Sequence, residues 1–94
     1  MTGPEKAFGA ALREIRNESD MSQERLALEA GFERTYVSLI ERGLKSPTIR
    51  AVVRLAQTLK VKPSLIVERM ERLLAGAGQD DKKTARRRPT KAAS

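Results

Sequence analysis

Residues 23–42 read Gln23-Glu24-Arg25-Leu26-Ala27-Leu28-Glu29-Ala30-Gly31-Phe32-Glu33-Arg34-Thr35-Tyr36-Val37-Ser38-Leu39-Ile40-Glu41-Arg42. Ser22, just before them, offers a hydroxyl N-cap, and Glu24 places a carboxylate in the first turn. Leu26, Ala27 and Ala30 share one face, so the spacing predicts a helix from Gln23 to about Ala30, which Gly31 ends. A second helix carries Arg34 to Arg42, with Val37 and Ile40 on one side and Thr35, Ser38 and Arg42 on the other. Counted from Gln23, the small Ala27, the turn glycine Gly31 and the apolar Val37 and Ile40 stand fifth, ninth, fifteenth and eighteenth. Two short helices crossing at a tight turn need a small residue at their approach, a glycine at the turn and an apolar inner face on the second helix. Each position alone is common; the set is specific.

The flanks supply a core to hold that pair. Upstream, Phe8, Ala11, Leu12 and Ile15 recur at helical spacing within a predicted helix over Glu5–Glu18, with Arg13, Glu14 and Asn17 on its other face. Downstream, Gly43-Leu44-Lys45-Ser46-Pro47 is a loop and Thr48 can cap a fourth helix, Ile49–Lys60, whose expected inner stripe is Ile49, Val52, Val53, Ala56 and Leu59. Pro63 suits the first turn of a fifth helix ending near Leu74. That helix carries more apolar surface than one core contact requires, in Leu65, Ile66, Val67, Met70, Leu73 and Leu74. Ile66, Met70 and Leu73 are the expected faces of a two-fold interface that would repeat the motif in a second copy. No strand pattern appears. The expectation is an all-α domain over residues 1–74 and, where apolar periodicity stops, a disordered basic tail over residues 75–94.

Composition narrows the function. The 94 residues carry a formal charge of +7, of which the tail holds +4 through Lys82-Lys83, Arg86-Arg87-Arg88 and Lys91. A polyanionic partner is favoured, since Lys and Arg gain by displacing counterions from phosphates. Cysteine and histidine are absent, which removes thiol chemistry, disulfides, the usual metal ligands and the usual general base. An enzyme, a cofactor and a small-molecule effector are therefore not expected. The N-terminus lacks the basic-then-apolar order of a signal peptide and no apolar run reaches bilayer length, so no membrane association and a cytoplasmic, nucleoid-associated location are expected.

The run Ser22-Gln23-Glu24-Arg25-Leu26-Ala27, with Gly31, Arg34 to Gly43 and the Pro47-Thr48 helix start, resembles the phage-repressor (XRE-type) helix-turn-helix family. Within it, Arg34-Thr35-Tyr36, Ser38 and Ile40-Glu41-Arg42 are most similar to restriction-modification controller proteins. The resemblance implies a five-helix lambda-repressor-like fold and a homodimer on double-stranded DNA. It also implies base reading by Arg34, Thr35 and Ser38, with Gln23, Tyr36, Arg42, Lys45 and Ser46 on phosphates. Arg16 would pair with Glu41 to tie the first helix to the reading helix. The chemistry agrees: an Arg fork suits guanine O6 and N7, and a Thr methyl suits the thymine methyl.

Some positions depart from the family pattern. Glu33 stands where a Ser, Thr or Asp cap is usual, Leu28 is out of phase with its helix, and Leu39 occupies a position often polar. Leu39 either touches a thymine methyl or packs sideways. The implied function is a transcription regulator binding a pseudopalindromic operator and controlling its own operon. The alternative is an antitoxin that neutralises a toxin partner and autorepresses; a third reading is a charge-driven, nonspecific nucleic-acid binder.

Overall fold

Apolar periodicity and cap chemistry give, among the described residues, five helices in sequence: α1 (Pro4–Glu18), α2 (Gln23–Ala30), α3 (Arg34–Glu41), α4 (Ile49–Leu59) and α5 (Pro63–Gly78). The computed structural model describes residues 3–78, among which there is no strand. The tail expected to be disordered lies, from residue 79 on, outside the described residues.

The helix ends follow local chemistry. Ser22 Oγ accepts from the Arg25 N–H and Thr48 Oγ1 from the Ala51 N–H, each at 3.0 Å, so both expected caps are made. Gly31 closes α2 in the left-handed region at φ 82°, and the Phe32 N–H reaches back to the Ala27 carbonyl at 2.8 Å. This Schellman-type pattern satisfies carbonyls the helix would otherwise leave open. Glu33 makes no side-chain cap at the start of α3, as its chemistry foretold.

Phe8, Ala11, Leu12 and Ile15 of α1, Leu26, Ala27 and Ala30 of α2, and Val37 and Ile40 of α3 form one core with Leu55, Ala56, Leu59 and Ile66. α1 lies between α5 and α3 and packs on both. Its contact with α3 depends on Gly9. A Cβ there would lie 2.2 Å from the Ile40 carbonyl oxygen and 2.6 Å from that of Glu41, so no side chain fits where the helices touch. On its other side, Arg69 of α5 forks onto Glu18 at 2.7 and 2.9 Å and reaches Glu14 at 3.2 Å. The Arg69 hydrogen bonds hold the Glu18 carboxyl below its usual pKa.

Three expectations are corrected. The inner stripe of α4 is Ala51, Leu55, Ala56 and Leu59; Val52 and Val53 are half-buried and Ile49 is 82% exposed. Apolar residues cover a broad arc of this helix opposite Arg50, Arg54 and Gln57, so its spacing fits two registers, and packing on α2 and α5 selects the second. Ile66 is fully buried within the protomer and cannot meet a partner. Ile66, Met70 and Leu73 fall at i, i+4 and i+7, a single face, and that face turns to the core, with Met70 and Leu73 half-buried against it. Finally, α5 continues past Leu74 to Gly78, because Ala75 and Ala77 are strong helix formers that offset the intervening Gly76.

Gly9 yields a direct test. In a free helix, Gly→Ala stabilises by ~1 kcal/mol. Here Gly9→Ala should instead destabilise by about 1–3 kcal/mol, because the new methyl meets backbone that cannot rotate away. Urea denaturation of the two proteins measures both sign and size.

Candidate nucleic-acid interface

Outward from this core, α3 exposes Arg34 and Thr35, with Ser38 and Leu39 half-buried beside them. Its opposite side is anchored by Val37 and Ile40, neither with any accessible surface. Among the described residues no carboxylate forms an ion pair with Arg34, so its guanidinium is available to an external acceptor. The polar face of α3 is thus presented by a helix that cannot roll.

What sets its direction is a buried charge network at its C-terminal end. Arg16 Nε donates to Glu41 Oε2 at 2.6 Å and Arg16 Nη2 to Glu41 Oε1 at 3.1 Å. Arg16 Nη1 donates to the Met21 carbonyl at 2.7 Å, so α1, the α1–α2 loop and α3 meet at one guanidinium. The two side chains are only 10% and 1% exposed, which rules out the weak, solvated surface pair. Gln23, the first residue of α2, adds a fourth segment: its Nε2 donates to Glu41 Oε1 at 2.9 Å. A carboxamide nitrogen carries two hydrogens, so one remains for an acceptor outside the chain, such as a phosphate.

Of the other expected contacts, Arg42 lines the same cleft as Glu41, whereas Ser46 borders an apolar groove on α1, α4 and α5. Arg42, Lys45 and Ser46 are exposed on the end of α3 and the loop after it. Tyr36 is half-buried, its ring 4.9 Å from that of Phe32 and tilted by 44°, so packing fixes the ring while its hydroxyl is the group left for a phosphate. Phe32 escapes a reading by helical period because it lies in the turn; its signal was an aromatic directly after the turn glycine. Arg54 of α4 stacks over the same ring at 5.3 Å, tying α4 to the turn. Gly9 was the other residue missed, a lone glycine inside a helical pattern.

With the geometry in place, similarity to known proteins can be weighed. The helix-turn-helix family matches residues 12–66, more than half of the chain. The chain belongs to this family. Control protein C.BamHI of Bacillus amyloliquefaciens is 39% identical over 62 residues, spanning 65% of this chain and 76% of that protein. The crystal structure of the restriction-modification controller C.AhdI from Aeromonas hydrophila superposes with a TM-score of 0.64 at 36% identity, over 65% of this chain and 92% of that one. The controller C.Esp1396I, solved as a tetramer on its natural 35 base-pair operator, matches at 28% identity and a TM-score of 0.69, over 77% of this chain and 95% of that one. The similarity to controller proteins read from the α3 residues therefore extends through the five-helix fold. No helix among the described residues is long and apolar enough to cross a membrane, and no group of acidic side chains there could hold a metal.

The buried network predicts a large effect of one side chain. Glu41→Ala leaves the Arg16 guanidinium buried without its counter-charge and should cost about 3–5 kcal/mol of unfolding free energy. Arg25→Ala, which breaks an exposed pair with Glu29, should cost under about 1 kcal/mol. Parallel denaturation curves compare the two.

Proposed function

We propose that this chain is a sequence-specific transcription regulator that binds a pseudopalindromic operator as a homodimer and controls its own operon, in the manner of a restriction-modification controller. The observation that carries this reading is the α3 face: Arg34, Thr35 and Ser38 project from a helix locked beneath by Val37 and Ile40 and at its end by Glu41. Rigid placement of a few hydrogen-bonding side chains is what reading base edges in the major groove requires. Arg34 reads guanine, Thr35 and Ser38 read its neighbours, and Leu39 packs beside them against a thymine methyl. Gln23, Tyr36, Arg42, Lys45 and Ser46 hold phosphates and set the register. The chain acts in the cytoplasm on nucleoid DNA and performs no catalysis.

Dimerisation falls to a surface that leaves out the buried Ile66 and takes from its stripe only the half-buried Met70. Pro4 and Phe8 of α1, Pro47, Ile49 and Val52 around the start of α4, and Val67 and Met70 of α5 line an apolar groove. Ile49, 82% exposed, and Val67, 38% exposed, stand on its rim. A second copy covers this groove, and the likeness to a controller solved as a tetramer on its operator supports that occupant.

Two measurements test this reading. Arg34→Ala should cost about 1–3 kcal/mol on a duplex selected from a random pool and leave affinity for a scrambled duplex nearly unchanged. Equal losses on both would make Arg34 a phosphate contact. Ile49→Glu combined with Val67→Glu should give a helical monomer by light scattering with weakened operator binding. A double variant that retains the dimer mass would place the interface elsewhere.

A further inference from the structure

Lys6, Ala10, Arg13 and Asn17 recur at i, i+4, i+7 and i+11 along α1, a stripe that the core does not use. They form one wall of an open cleft whose other wall is Glu41, Arg42 and Leu44, at the end of α3 and the loop after it. Gly43 draws the walls together: at φ 76° its Cα hydrogens face Lys6, and a Cβ there would lie 2.8 Å from the Lys6 Cα. Lys6, Arg13, Asn17 and Arg42 are all exposed.

The charge in this cleft is not balanced from within. Of its two carboxylates, Glu41 is spent on Arg16 and Gln23, and Glu14 is engaged by Arg69. Among the described residues no carboxylate forms an ion pair with Lys6, Arg13 or Arg42. The cleft also adjoins the start of α2, because Gln23 bonds to the same Glu41 that lines it. It therefore extends from Gln23 and Arg42 onto a helix outside the helix-turn-helix pair.

We propose that this cleft seats a backbone phosphate of duplex DNA beyond the base pairs read by α3, with Arg13 and Lys6 of α1 as its ligands beside Arg42. The inference rests on the DNA-binding reading above and extends its footprint to α1. A phosphodiester fits because it brings one negative charge and several acceptor oxygens to groups that can only donate. Ala10, between Lys6 and Arg13 on the stripe, keeps the wall low enough for a sugar–phosphate strand to approach.

The test uses the full chain, a scrambled duplex and a duplex selected from a random pool by the wild-type protein, each titrated with salt. Arg13→Gln and Lys6→Gln should each flatten the slope of log K against log salt by about one unit on both duplexes, leaving the ratio of the two affinities unchanged. Arg13→Lys should keep the wild-type slope, which separates lost charge from lost structure. An unchanged slope in Arg13→Gln, with wild-type slopes steep, overturns the proposal and leaves the α3 reading intact. A slope reduced equally in Arg13→Gln and Arg13→Lys also overturns it, since charge would not be the cause. Failure of the wild-type chain to bind either duplex overturns the DNA-binding reading and this inference with it.

Discussion

The Glu41 carboxylate is the point on which the arrangement turns. Two donors from Arg16 and one from Gln23 converge on it, and Arg16 spends its remaining arm on the Met21 carbonyl. Burying a charge is unfavourable unless the partner geometry is good and further hydrogen bonds are made, and here the carboxylate takes the guanidinium in a fork while its third nitrogen donates to a carbonyl. A well-packed apolar pair could match the stability. It could not donate to a loop carbonyl or hold the Gln23 carboxamide, so the ion pair contributes direction where packing contributes cohesion.

Direction matters because α1 serves two neighbours. Gly9 lets it lie against the carbonyl end of α3, while Arg69 clasps its outer carboxylates from α5. α1 thereby joins α5, whose Val67 and Met70 line the apolar groove, to the end of α3. The same helix turns its Lys6, Arg13 and Asn17 stripe to the cleft beside Arg42. One element thus sets three relationships, and it reaches α3 closely enough to do so only because Gly9 has no side chain.

The sequence was most legible where a pattern had one solution. α2 and α3 could be read because the Ser22 cap, the turn glycine and the inner apolar residues each exclude the other registers, and the Ser22 cap is made. α4 misled because Ile49, Val52 and Val53 form as good a stripe as Ala51, Leu55 and Leu59, and only packing against other helices decides. Ile66 was drawn to an interface by a surplus of apolar residues on α5, although its spacing with Met70 and Leu73 already described a core-facing stripe. Gly9 and Phe32 were missed for a shared reason: one acts by what it lacks and the other from a turn, and neither shows in helical periodicity. The Arg16–Glu41 pair came from family resemblance; its burial and its link to Gln23 came from the structure. Leu28 is 77% exposed, and nothing in the packing explains it.

α3 is eight residues long and has no side-chain cap. A helix of that length is not stable alone in water, so α3 exists only as far as the rest of the fold holds it. Val37, Ile40 and Glu41 carry that dependence, and they alternate along the chain with Arg34, Thr35, Ser38 and Leu39, which carry little of it. The separation follows from helix geometry, since residues facing the core and residues facing outward must interleave at this period. Outward side chains can then change with little effect on the fold, while any change at Glu41 reaches α1, the α1–α2 loop and the start of α2 at once. A fold built this way can retain its frame and alter what its outer face binds, because the groups that position α3 are not the groups that α3 presents.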